Sequence, residues 1–217
     1  MPLTIDNPPQ SAYALVADAV RRLAGAGGAA RALAAADPSK LSAALPHKVY
    51  TVDADAIAQG GKLDRARLVE WRFLILDGQS PVAAVELSCD EQGRNLKFAG
   101  LNTGPFVAGT RDAVLHAEGL DAVKNGSYEL RALRLPSVYV MALWLKDLAG
   151  GNDLLLPFGP SSHAVAPAEH RAGTLAGVAN PVSAPHLVPD DFFGALRDSA
   201  RDAVSFDSSP RQTRPAP

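Results

Sequence analysis

Cysteine is almost missing from this chain: Cys89 is the only one in 217 residues, so no internal disulfide framework can hold the fold, and a reducing compartment is expected. An excess of charge is missing too. The 21 basic residues nearly cancel the 23 acidic ones, which removes the electrostatic reason to expect nucleic acid or an anionic membrane as a partner. Basic residues are not interleaved with aromatics, which argues against nucleic acid again. No apolar run approaches the roughly 20 residues that a helix needs to cross a bilayer. The opening MPLTIDNPPQ has neither the basic nor the apolar region of a secretory signal. The expected location is therefore the cytoplasm, and arginine in place of lysine with abundant alanine suggests a GC-rich bacterial genome.

The familiar catalytic motifs are missing as well. There is no HExxH and no GxSxG, and the pairs Gly27-Gly28, Gly60-Gly61 and Gly150-Gly151 lack the flanking residues of a phosphate loop. His116, His163, His170 and His186 have no metal-ligand spacing, so neither a metal nor another cofactor is expected. Ser161-Ser162-His163 cannot present a serine to an adjacent imidazole in an ordinary loop. Cys89 alternates with Val85 and Leu87, and reads as a small inert hydrophobe rather than a nucleophile.

What is present begins with the longest apolar run. Val138 to Leu145 carries no charge and is rich in Val, Tyr and Trp, which predicts a strand buried on both faces. Tyr128 to Leu135 leads into it, and Leu154 to Phe158 returns antiparallel after Gly150-Gly151-Asn152-Asp153. Upstream, RLVEWRFLIL alternates, with Val69, Trp71, Phe73 and Ile75 on one face and Leu68, Glu70, Arg72 and Leu74 on the other. Val82 to Cys89 pairs with it across Asp77 to Pro81, and Leu96 to Asn102 extends the meander.

Helices are expected in four places before the C-terminal one. Asn7-Pro8-Pro9 caps one running to about Leu23, and Ala29 to Ala36 forms another beyond the glycines. Asp37-Pro38 starts a short one ended by Pro46, and Thr110 caps one running to Lys124. The fold class is α+β: an antiparallel sheet of about six or seven strands with an N-terminal and a mid-chain helix packed on it. One domain is expected over 1–204. Within it, 159–188 is a long irregular connection and 189–204 a C-terminal helix, with a disordered tail over 205–217.

Two groups of residues are candidates for function. Glu70, Arg72, Glu86, Arg131 and Arg134 project from strands that otherwise pack a core. They form either cross-strand ion pairs on a solvated face or a covered pocket in which arginine holds a carboxylate or phosphate. Phe192, Phe193 and Leu196 give the C-terminal helix a narrow apolar face that needs a partner. Without a catalytic constellation, the first expectation is a non-catalytic binding or assembly protein acting through a protein partner or self-association. The alternative is a small-molecule-binding domain or enzyme acting on an anionic ligand.

Overall fold

The computed structural model describes residues 3–24, 33, 35–37, 39–160 and 186–207. All strands among them join one mixed, mostly antiparallel sheet. In chain order they are β1 (Leu3–Thr4), β2 (Leu41–Thr51), β3 (Arg67–Asp77), β4 (Ser80–Ser88), β5 (Lys97–Asn102), β6 (Tyr128–Leu135), β7 (Val140–Asp147) and β8 (Leu154–Phe158). The helices are α1 (Gln10–Ala24), α2 (Ala54–Ala58), α3 (Pro105–Gly119), α4 (Asp121–Asn125) and α5 (Pro189–Asp207). Across the sheet the order is β5-β4-β3-β2-β6-β7-β8, with β1 added in parallel to the start of β6. No helix of the described residues is long and apolar enough to cross a membrane.

Two antiparallel meanders thus meet at one parallel seam, where Lys48 to Thr51 of β2 pair with Arg131 to Arg134 of β6. A parallel neighbour needs a crossover connection, and the chain supplies a long one through three more strands, α3 and α4. The sheet is therefore mixed rather than wholly antiparallel.

The predicted short helix after Asp37 is instead the first part of β2. Asp37 does make a local turn, accepting from the Ser39 backbone N–H at 3.0 Å, but the chain then extends for 11 residues. Pro46 does not end the strand because it sits in a bulge: pairing with β3 jumps between Ala44 and His47, and Leu45 has φ +48°. A missing N–H is tolerated at such an irregularity.

Helices cover both faces. On one, α1 lays Ala12, Val16 and Ala19 over Trp71, Phe73, Ile75 and Val85, while α5 and α2 cover Leu133, Val140, Ala142 and Trp144. On the other, α3 and α4 bring Ala113, Val114, Ala117 and Val123 against Leu130, Leu143, Leu145 and Leu156. β7 is buried over six consecutive residues, Val140 to Leu145. Val138 and Tyr139 fall outside it, in a 3-10 turn at Pro136–Val138 whose C-cap, Tyr139, has φ +54°.

Phe192, Phe193 and Leu196 find their partner within the chain. The phenylalanines are 0 % exposed and Leu196 is 1 % exposed, packed with Ile57, Leu133 and Leu155. They are core in this state rather than a surface for another protein. Gly61 shows how close the docking is: a Cβ there would meet Phe193 Cδ1 at 2.6 Å, on a backbone with φ +40°. The helix continues to Asp207, past the expected end at 204. The segment 161–185, most of the Ala29 to Ala36 segment and the tail from 208 lie outside the described residues.

Candidate functional site

The polar residues on the strands separate according to pleat. Arg131 and Arg134 are three apart on β6 and so face opposite sides of the sheet. Arg131 shares its side with α5: it pairs with Glu129 through two hydrogen bonds of 2.7 and 2.9 Å. Its guanidinium lies 5.1 Å from the Tyr50 ring centre and 5.0 Å from that of Trp144. It is a self-contained unit.

Glu70, Arg72, Glu86 and Arg134 gather on the opposite side, beside α3. Register brings them together, since Arg72 stands across from Glu86 on β4 and from His47 on β2. Arg134 bridges both carboxylates, with Nη2 at 2.8 Å from Glu70 Oε2 and Nη1 donating to Glu86 Oε2 at 3.1 Å. Arg72 lies deeper, 1 % exposed, with Nη1 donating to Thr110 Oγ1 at 2.9 Å and Nη2 to the Phe106 carbonyl at 3.3 Å. Its Nε is 3.6 Å from Glu86 Oε1, beyond hydrogen-bonding reach, and has no partner among the described residues. The face is thus neither openly solvated nor sealed.

Thr110 does not cap the helix as its position in the sequence suggests. The helix begins five residues earlier with Pro105 at its start, and Gly104 as N-cap offers no side chain. Thr110 Oγ1 instead donates back to the Phe106 carbonyl at 2.7 Å and accepts from Arg72. It ties the guanidinium to the first turn of α3. Burial draws the Arg72 pKa down to about 10, against the pull of Glu86. Burial acts in the same sense on Arg134, yet its pairing with Glu70 and Glu86 holds that guanidinium above its ordinary value.

His47 is the member that the sequence did not point to. It is 0 % exposed; its Nδ1 makes a 2.7 Å hydrogen bond to the Leu45 carbonyl, and its Nε2 has no partner among the described residues. A carbonyl only accepts, so Nδ1 carries the proton and Nε2 is bare. Burial, then the neighbouring Arg72, push its pKa down to about 4.

Arg72, Glu86 and Arg134 of the cluster form the floor of a cleft of about 390 Å³, bounded by the start of α3 and the β6–β7 turn. Arg72, Glu86 and Arg134 supply the charged end, and Phe106, Tyr139 and Met141 an apolar one. Tyr139, 62 % exposed and in a left-handed conformation, stands at the lip with its ring edge-on to Phe106 at 5.4 Å. Tyrosine rarely holds that conformation, and its strain is of the kind found beside ligand sites.

Elsewhere the candidates are less eventful. Burial first, then Asp90, push the Cys89 thiol up to about 11. His116 is half-buried on α3, His186 is exposed, and His163, His170, Ser161 and Ser162 lie outside the described residues. Among the described residues no group of three or more His, Cys, Asp or Glu side chains could hold a metal ion. No family model, curated protein or solved structure matches the chain.

Proposed function

We propose that this protein is a small-molecule-binding domain whose ligand enters the cleft at the start of α3, with a polar head toward Glu86 and Arg134 and an apolar body against Phe106, Tyr139 and Met141. One observation carries the reading: Arg72, Arg134 and Glu86, largely withdrawn from water, form the floor of an apolar-walled cleft, with Glu70 paired to Arg134 behind them. A buried ion cluster is weak evidence for stability, because apolar side chains of similar volume hold a fold as well. Displaced charged groups lining a concave site are instead the usual mark of binding. The four charges sum to zero, so the arginines do not present the net positive field that a phosphate would need. The best match is a neutral or zwitterionic molecule rather than a strongly anionic one.

A thermal-shift screen of polar aromatic and aliphatic metabolites tests this. A ligand that prefers the folded state raises the melting temperature, and the rise should disappear in Tyr139→Ala, whose exposed side chain can be lost without opening the core. A screen in which nothing moves the wild-type melt counts against the proposal.

A second reading, assembly through protein contacts, is supported by β5. Among the described residues this edge strand pairs only with β4, and its Phe98 is 39 % exposed. An open edge is a template for another strand. Light scattering that shows only monomer at high concentration argues against self-association there.

A further inference from the structure

Building on the cleft as a ligand site, we infer that its polar end recognises an ammonium and a carboxylate together, so that the ligand class is an α-amino acid with an apolar side chain. The argument starts from hydrogen-bonding capacity that the cluster leaves unused. Glu86, 7 % exposed, spends Oε2 on Arg134, while Oε1 has, among the described residues, only Arg72 Nε as a charged neighbour, at 3.6 Å. A carboxylate oxygen lining a cleft with capacity to spare suits a cationic donor. Arg134 has N–H groups beyond the one it donates to Glu86 and the one facing Glu70 in their ion pair, and its side chain is 26 % exposed. It can take a carboxylate.

The start of α3 adds to the same end. Gly104 provides no side-chain cap, and the Val107 N–H turns back to the Gly104 carbonyl at 3.0 Å. The Phe106 N–H, next to the cleft, finds no acceptor among the described residues. A helix N-terminus favours an anion, and buried Arg72, with its Nε unpartnered, stands beside this one. Charge balance selects between the possible heads. A zwitterion keeps the site neutral, whereas a lone carboxylate or amine leaves a net charge in a partly dry cleft. Phe106, Tyr139 and Met141 receive the side chain.

Isothermal titration of the full chain with L-phenylalanine, 3-phenylpropionate and 2-phenylethylamine separates the alternatives. L-Phenylalanine is expected to bind, and each analogue lacking one charge to bind at least about tenfold more weakly. Glu86→Gln should weaken L-phenylalanine at least about tenfold and leave 3-phenylpropionate as tight as before or tighter, since the cluster then carries a net positive charge. If Glu86→Gln fails to fold, Asn102→Asp, exposed at the cleft rim, replaces it. That variant should weaken both carboxylates and spare the amine. Equal affinity for 3-phenylpropionate and L-phenylalanine overturns the amino-acid inference and leaves the binding reading standing, as does a screening hit that lacks either charge. No heat from any of the three, together with an unresponsive melt across the screen, overturns both.

Discussion

Acid should unfold this protein through one histidine, and the size of the effect follows from where His47 sits. Its ring is 0 % exposed opposite Arg72, with the Nδ1 proton committed to the Leu45 carbonyl and the bare Nε2 lacking any partner among the described residues. Protonating Nε2 would place a second cation beside a guanidinium that is itself out of water. The folded-state pKa is accordingly about 4, against an ordinary 6.5. The unfolded chain therefore binds the proton first. Stability is complete above pH 6.5, falls as pH drops, and reaches its full loss below pH 4. At 1.36 kcal/mol per pH unit, that gap amounts to about 3 kcal/mol. Urea unfolding of the wild type and His47→Gln at steps from pH 7 to pH 4 isolates it, because carboxylate titrations largely cancel in the difference. The variant should be less stable at pH 7 by about 1–2 kcal/mol, as a disturbed buried polar group. It should then gain on the wild type by most of about 3 kcal/mol toward pH 4. Parallel curves over the whole range would refute the reasoning, since His47 would then titrate as if exposed.

Arg72→Met should cost about 3–5 kcal/mol in urea unfolding, because it leaves Glu86 facing one partner fewer and removes the tie to Thr110. Adding Glu86→Leu should recover at least about 1 kcal/mol of that loss without restoring ligand binding. A double variant less stable than Arg72→Met refutes this. At the other helix layer, Phe193→Ala should cost about 3–5 kcal/mol by thermal or urea melts, and Gly61→Ala should destabilise through the same contact. A neutral Gly61→Ala would mean that α5 does not dock as described. Cys89, with its thiol pushed up to about 11, should be only about one part in a thousand thiolate at pH 8. Its reaction with a disulfide reagent should be far slower than that of free cysteine, and a comparable rate contradicts the burial.

Much of the architecture was legible where local pattern and burial agree. The bounds of β6, Tyr128–Leu135, and of β8, Leu154–Phe158, match the sequence reading, since each run ends at a turn signal that no tertiary contact overrides. The first part of β2 is not legible for a specific reason. Asp37-Pro38 and Pro46 imitate helix punctuation, whereas the strand is imposed by β3 on one side and the distant β6 on the other, with a bulge absorbing the proline. Tertiary pairing outweighed local propensity there.

The site was half legible. Alternation put Glu70, Arg72 and Glu86 on one face, but it could not reveal that α3 covers that face, nor that Arg131 looks the other way. The one available signal for Arg131 was its odd spacing from Arg134. His47 is not legible as a site residue because its partner, Arg72, is 25 positions away in sequence and only strand pairing brings the two together. Thr110 looked like a cap because threonine usually is one at the start of an apolar stripe. Its hydroxyl is instead turned to Arg72 inside the helix, a tertiary contact with no local signal.

The central claim is that Arg72, tied to α3 through both Nη atoms, keeps its buried Nε–H without a hydrogen-bond acceptor among the described residues at the floor of a ligand cleft, and the Nε–Hε resonances of the arginines report on it directly. In a nitrogen–proton correlation spectrum, with Arg72→Lys to assign the peak, the Arg72 Nε–Hε signal should persist in exchange with D₂O after those of exposed Arg21 and Arg201 have gone. It should shift when L-phenylalanine is added. A signal that exchanges as fast as the exposed ones and does not move with ligand would contradict the account.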